Sequence, residues 1–126
     1  MKAAVCHRYG PAEGLEIKDV PRPLPKKREI LIQVKATTVS SGDCRIRGAD
    51  FPRGFGLIAR LALGWSGPRK SVLGTELSGV VEAVGSKVTR FKVGDEVIAY
   101  PGIKVGAHAE YCVMHEGGAM VMKPAN

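Results

Sequence analysis

Apolar and polar residues alternate along this chain in short runs, and glycine or proline closes almost every run. Lys2 to Cys6 reads as a first strand, stopped by Tyr9-Gly10-Pro11. Leu15 to Val20 alternates and reads as a second. Pro21, Pro23 and Pro25 then hold the chain extended, because proline fixes its own φ and steers the preceding residue away from the helical region. Ile30 to Val39 is the clearest strand. Ile30, Ile32, Val34 and Ala36 are expected on one face, with Leu31, Gln33 and Lys35 on the other. Leu77 to Val84, Glu96 to Ala99, Ala109 to Met114 and Met120 to Lys123 supply the remaining strands. Ser40 to Gly48 is polar, with room for a helical turn around Asp43 to Arg47. Phe55 to Leu63 reads as a short helix bounded by Gly54 and Gly64. Short strands with one or two short helices predict a mainly β domain curled into a partly open barrel.

Composition narrows this picture. The chain has 126 residues, enough for one domain with its own core, and its 16 Gly and 8 Pro leave little room for long helices. The formal charge is +7, but the cations are spread from Lys2 to Lys123, with modest clusters at Lys26-Lys27-Arg28 and Arg69-Lys70. Spread in this way they read as a solvated surface, and nucleic acid is not an expected partner. Cys6, Cys44 and Cys112 are odd in number and widely spaced, which is no disulfide framework. Met1 to Arg8 is too short and too polar for an export segment, and no apolar run is long enough to span a membrane. A reduced, cytosolic, soluble protein is expected.

The most informative stretch runs from Gly74-Thr75-Glu76 through Leu77-Ser78-Gly79-Val80-Val81-Glu82-Ala83-Val84-Gly85. It is a glycine-gated strand with an acid at its entrance. Gly79 permits close approach of another backbone, and Gly85 is expected to permit a turn with positive φ. Phe91-Lys92-Val93-Gly94-Asp95-Glu96-Val97 follows as a turn into the next strand. Together with Met1-Lys2-Ala3, the proline-spaced connector and Gly106-Ala107-His108-Ala109-Glu110-Tyr111, this order resembles the GroES-like catalytic domain of the medium-chain alcohol dehydrogenase and quinone reductase superfamily. The resemblance covers essentially the whole chain, so residues 1–126 are read as that one domain.

Two departures from the superfamily pattern set the expected branch. Zinc-dependent members carry a His where this chain has Thr75, and a metal-binding Cys where it has Ser40. Losing a thiolate and an imidazole removes two of the three protein ligands that a catalytic zinc requires, and hydroxyls are poor substitutes. The four closely spaced cysteines of the structural zinc lobe are also absent from the sequence. The chain is therefore similar to the zinc-free quinone-oxidoreductase branch. That similarity implies hydride transfer from NADPH or NADH to a quinone or enone, a small conjugated carbonyl that is already electrophilic. The developing oxygen charge then needs only hydrogen-bond donors or a proton.

The resemblance also distributes roles. Ser40 and Thr75 are the candidate catalytic residues, and Ser40 and Asp43 the candidate cofactor contacts. Ser40 reads equally as a serine bonding its own backbone at a strand-to-helix turn. Asp43 reads as the cap of the Cys44 to Arg47 turn, worth about 1 kcal/mol. Thr75 is expected to line the pocket, with a plain strand-start threonine as the alternative. Trp65 and Tyr100 are candidate walls for a flat acceptor, or ordinary packing residues. Glu76 is expected to pair with an arginine, since burying it alone is costly. Cys44 is read as an inert thiol, and His108 and His115 as packing or surface residues.

Gly54-Phe55-Gly56-Leu57-Ile58-Ala59 fits a dinucleotide fingerprint, but no strand precedes it, so it is read as a loop before a helix. Arg53, Arg60, Arg69 and Lys70 around it form a possible attraction for an anion. No Rossmann unit is legible in the chain. The resemblance implies that the cofactor-binding domain lies outside it, that the cofactor is bound mainly there, and that this piece is inactive and monomeric alone. A free-standing GroES-like module that binds a protein or an anionic polymer is the competing expectation.

Overall fold

A computed structural model of the chain describes residues 1–125; Asn126, the last residue of the expected domain, lies outside them. β1 (Lys2–Val5) and β2 (Glu16–Asp19) form an antiparallel ribbon that starts with Lys2 opposite Asp19. β3 (Glu29–Thr37), β4 (Leu77–Val84), β5 (Glu96–Tyr100), β6 (Tyr111–His115) and β7 (Ala119–Met122) form a second, curled sheet. Its spatial order is β6-β3-β4-β5-β7, and every pairing is antiparallel. Single bridges from Ala3 to Ala109 and from Val5 to Val72 tie the ribbon to the segments that lead into β6 and β4. α1 (Ser41–Gly48) and α2 (Gly56–Leu63) leave the sheet together, in the long excursion between β3 and β4.

The core lies inside the curl. Ile30, Ile32, Val81, Val97 and Ala107 are sealed from solvent, and Phe91, Met114 and Met120 belong to the same cluster. Each fully buried Val, Leu or Ile stabilises the domain by about 1.5–3 kcal/mol. The expected alternation of β3 holds only in part. Leu31 is as buried as its neighbours, while Ala36 is exposed. The register against β4 shifts between Leu31 and Ile32 and again between Val34 and Ala36, and such bulges re-aim side chains.

Two glycines hold the sheet together by what they lack. A Cβ on Gly79 would stand 2.3 Å from the backbone oxygen of Gln33 on β3. A Cβ on Gly85 would stand 2.0 Å from the oxygen of Lys26. Gly85 is thus required for close approach, and the expected positive φ is not found there.

Acidic side chains fasten two turns. Asp95 accepts hydrogen bonds from the Lys92 ammonium (2.9 Å) and the Lys92 N–H (3.0 Å), which hold its carboxyl below the usual range. Glu116 accepts from the N–H groups of Thr89 (3.1 Å) and Arg90 (3.2 Å), and the Thr89 bond is the main cause of its lowered pKa. Burial pushes the Cys112 thiol up to about 11 and raises that of Cys6, so both pack as inert hydrophobes.

Candidate functional site

The antiparallel pairing of β3 and β4 decides which residues meet. Thr37, the last residue of β3, lies opposite Leu77, the first of β4. Ser40 follows this pair and Thr75 precedes it, so the topology puts both at one end of the sheet. Leu77 pairs in turn with Ala99, which brings Tyr100 to the same end. Two hydrogen bonds cross this corner. The Thr37 hydroxyl donates to the Glu76 backbone oxygen (2.7 Å), and the Thr38 hydroxyl donates to Glu76 Oε2 (3.0 Å). Glu76 is solvent-exposed and pairs with this hydroxyl rather than with the expected arginine; exposure removes the desolvation cost that called for a cation.

Ser40 is the N-cap of α1, and its geometry is a reciprocal capping box. The Ser40 N–H donates to Asp43 Oδ2 at 2.8 Å, and the Asp43 N–H donates to Ser40 Oγ at 3.3 Å. The Ser40 hydroxyl also donates to Asp43 Oδ2 at 3.0 Å. A hydroxyl has one donor and two acceptor lone pairs. The box uses the donor and one lone pair, leaving Ser40 a single acceptor for an outside partner. Asp43 does serve the cap, but from the third helical position, with Ser40 at the cap itself. The helix it supports spans the full Ser41–Gly48 range, longer than the expected turn.

His108 is the residue that sequence reasoning undervalued. Its Nε2–H donates to the Thr38 backbone oxygen at 2.9 Å and lies 3.8 Å from Asp43 Oδ2. It therefore braces the connector that presents Ser40. Asp43 is buried, and its Oδ1 has no hydrogen-bond partner among the described residues.

Three hollows surround this corner. The largest, about 510 Å³, has mainly apolar walls that include Ala4, Ile17, Val34, Cys44 and Leu73, and Asp43 and His108 form part of its edge. Two smaller ones, of about 370 and 200 Å³, share Glu76 and Ile98, and Tyr100 walls the first of these. Thr75 is buried, and neither it nor Ser40 lines any of these hollows. Trp65 lies after α2, largely exposed, and is not brought to this group. Among the described residues no three His, Cys, Asp or Glu side chains gather as a metal site. At the two positions where a zinc centre would need soft ligands the donors are hydroxyls, one of them committed to a helix cap, and this set does not fit the ion.

The alcohol dehydrogenase GroES-like domain family matches residues 26–124 of the chain. A quinone oxidoreductase of Pseudomonas aeruginosa is 39% identical over 108 residues, covering 86% of this chain and 29% of that protein. The crystal structure of the Pseudomonas syringae quinone oxidoreductase superposes with a TM-score of 0.79 at 31% identity, over 98% of this chain and 34% of that one. The Escherichia coli quinone oxidoreductase in complex with NADPH gives a TM-score of 0.79 at 25% identity, over 99% of this chain and 34% of that one. The chain thus spans about a third of the length of the relatives it matches.

Proposed function

Because this chain belongs to the alcohol dehydrogenase GroES-like domain family, we propose that it is the catalytic-domain portion of a zinc-independent, NAD(P)H-dependent oxidoreductase that reduces quinones or enones. The carrying observation is the donor chemistry at the end of the β3–β4 pair, where Ser40 and Thr75 offer hydroxyls in place of metal ligands. A reduced nicotinamide, when bound, supplies the hydride. Ser40 keeps one acceptor lone pair, suited to a ribose hydroxyl of the cofactor, and its own O–H stays directed at Asp43 Oδ2. Asp43 acts on the cofactor through Ser40, by fixing the hydroxyl's direction. Thr75, at the same end of the sheet, is the second hydroxyl, and the Tyr100 ring offers a wall for a flat acceptor. His108 holds the Thr38 carbonyl and so positions Ser40 without touching the reacting atoms.

The rest of the cofactor site belongs to a domain outside this chain, and one wall alone gives little catalysis by proximity. The test is NADPH-dependent reduction of a simple quinone by the isolated chain and by the longer protein that carries it. The expected result is turnover by the longer protein only, with Ser40→Ala lowering its kcat/KM about tenfold, the worth of one hydrogen bond. No turnover by the longer protein with any quinone or enone would refute the reading.

A further inference from the structure

The end of the sheet that carries the candidate hydroxyls also sets the sign of charge that an acceptor meets. Leu77 pairs with Ala99 and Ser78 with Ile98, and Leu77 and Ala99 are buried. Side chains alternate across a strand, so Ser78 and Ile98 face away from the core. Ile98 lies opposite Val121 of β7 on its other side. Glu76 and Tyr100 are one step further along the Leu77–Ala99 register and return to that outer face. There Glu76, Ile98, Tyr100 and Val121 wall the hollow of about 370 Å³. The adjoining hollow of about 200 Å³ shares Glu76 and Ile98 with it.

Among the described residues that line these two hollows, Glu76 is the one acidic or basic side chain. No cation among the described residues lies within ion-pairing distance of it. Its Oε2 accepts from the Thr38 hydroxyl at 3.0 Å, which fixes the carboxylate at the edge the hollows share. The chain as a whole has a formal charge of +7, a field that favours anions, and Glu76 opposes that field at this one place. An unpaired carboxylate among apolar walls penalises an anionic ligand while leaving a neutral one unaffected. Resting on the oxidoreductase reading, in which Tyr100 walls the acceptor, we propose that Glu76 is a specificity-determining residue. It selects against conjugated carbonyls that bear a carboxylate or sulfonate and favours uncharged and cationic ones. Glu76 acts through space on the acceptor's substituent and takes no part in hydride or proton transfer. Its bond to Thr38 gives the same side chain a structural use. Glu76→Gln separates the two, because the Gln carbonyl accepts the same bond and only the charge is lost.

The experiment uses this chain together with the cofactor-binding domain that the proposed function requires. It measures NADPH-dependent reduction of benzylideneacetone, of its para-carboxylate and of its para-trimethylammonium derivative. Turnover of the neutral enone tests the proposed function, and the ratio of kcat/KM for the cation to that for the anion tests Glu76. The expected ratio is above one in the wild type and falls about fivefold in Glu76→Gln, since one charge acts on the two substituents with opposite sign. Added salt should shrink the ratio in the wild type and move it less in Glu76→Gln. A ratio that Glu76→Gln leaves unchanged, with the neutral enone still reduced, overturns the role of Glu76 and leaves the oxidoreductase reading standing. A variant that slows all three enones alike assigns Glu76 to anchoring Thr38 and also overturns that role. Absence of turnover with all three enones and with a simple quinone overturns both.

Discussion

Between Glu29 and Val84 the chain passes twice through the same sheet, and there Ile30, Ile32 and Val81 are sealed from water. Between those two passes it leaves the sheet to build α1 and α2, and α2 buries nothing. At β3 and β4 the sheet turns its largest hydrophobic residues inward and uses glycine to bring strands close. The excursion spends its hydrophobic residues outward and uses side chains to fasten itself, Arg69 at the end of α2 and Ser40 with Asp43 at the start of α1. Burial is thus concentrated in one part of this small domain and sparse in the other. The candidate cofactor contacts sit where the two parts join.

The contrast is sharpest at Gly79. Gly79→Ala places a methyl carbon against a β3 carbonyl that cannot move without breaking the sheet, and should cost about 3 kcal/mol in a urea unfolding titration. Ser40→Ala removes both bonds of the Ser40 hydroxyl, one of them half of the capping box, and should cost about 1–2 kcal/mol in the same titration. Leu57→Ala or Leu61→Ala should change stability by less than about 0.5 kcal/mol, although leucine is lost in each case. A loss as large as that of a core leucine would show that α2 is part of the core and would erase the distinction.

Acid tests the sheet side alone. Asp95 and Glu116 have pKa values below their ordinary 3.8 and 4.5, so each binds protons less readily folded than unfolded. Their contribution is complete above those ordinary values and is lost as the pH falls through the depressed ones. Stability should therefore be level near neutrality and decline only below about pH 4.5. Asp95→Asn with Glu116→Gln should lower stability at neutral pH and flatten that decline. An unchanged acid slope in this variant would separate these turns from acid unfolding.

Much of the sheet was legible in sequence, because alternation and glycine punctuation act locally. β4 matches its expected Leu77–Val84 range, and the other strands differ by one or two residues at their ends. What the sequence hid depends on pairing. The bulges in β3 that bury Leu31 and expose Ala36 arise from the register against β4. The brace from His108 to Thr38 joins residues 70 apart, and only the sheet brings them together. At the candidate site, the pair Ser40 and Asp43 was visible at capping-box spacing, yet the reciprocal bond that occupies the Ser40 hydroxyl is a fact of geometry. A signal for His108 was present in its place within Gly106-Ala107-His108-Ala109-Glu110-Tyr111, but nothing local told brace from surface residue.

The proposed function requires that hydroxyls, not a zinc ion, serve the corner where β3 meets β4. The most direct measurement is NADPH-dependent quinone reduction by this chain together with the cofactor-binding domain that the proposal requires, before and after exhaustive dialysis against a zinc chelator. The expected result is the same kcat in both. Activity that disappears on dialysis and returns with stoichiometric zinc would contradict it.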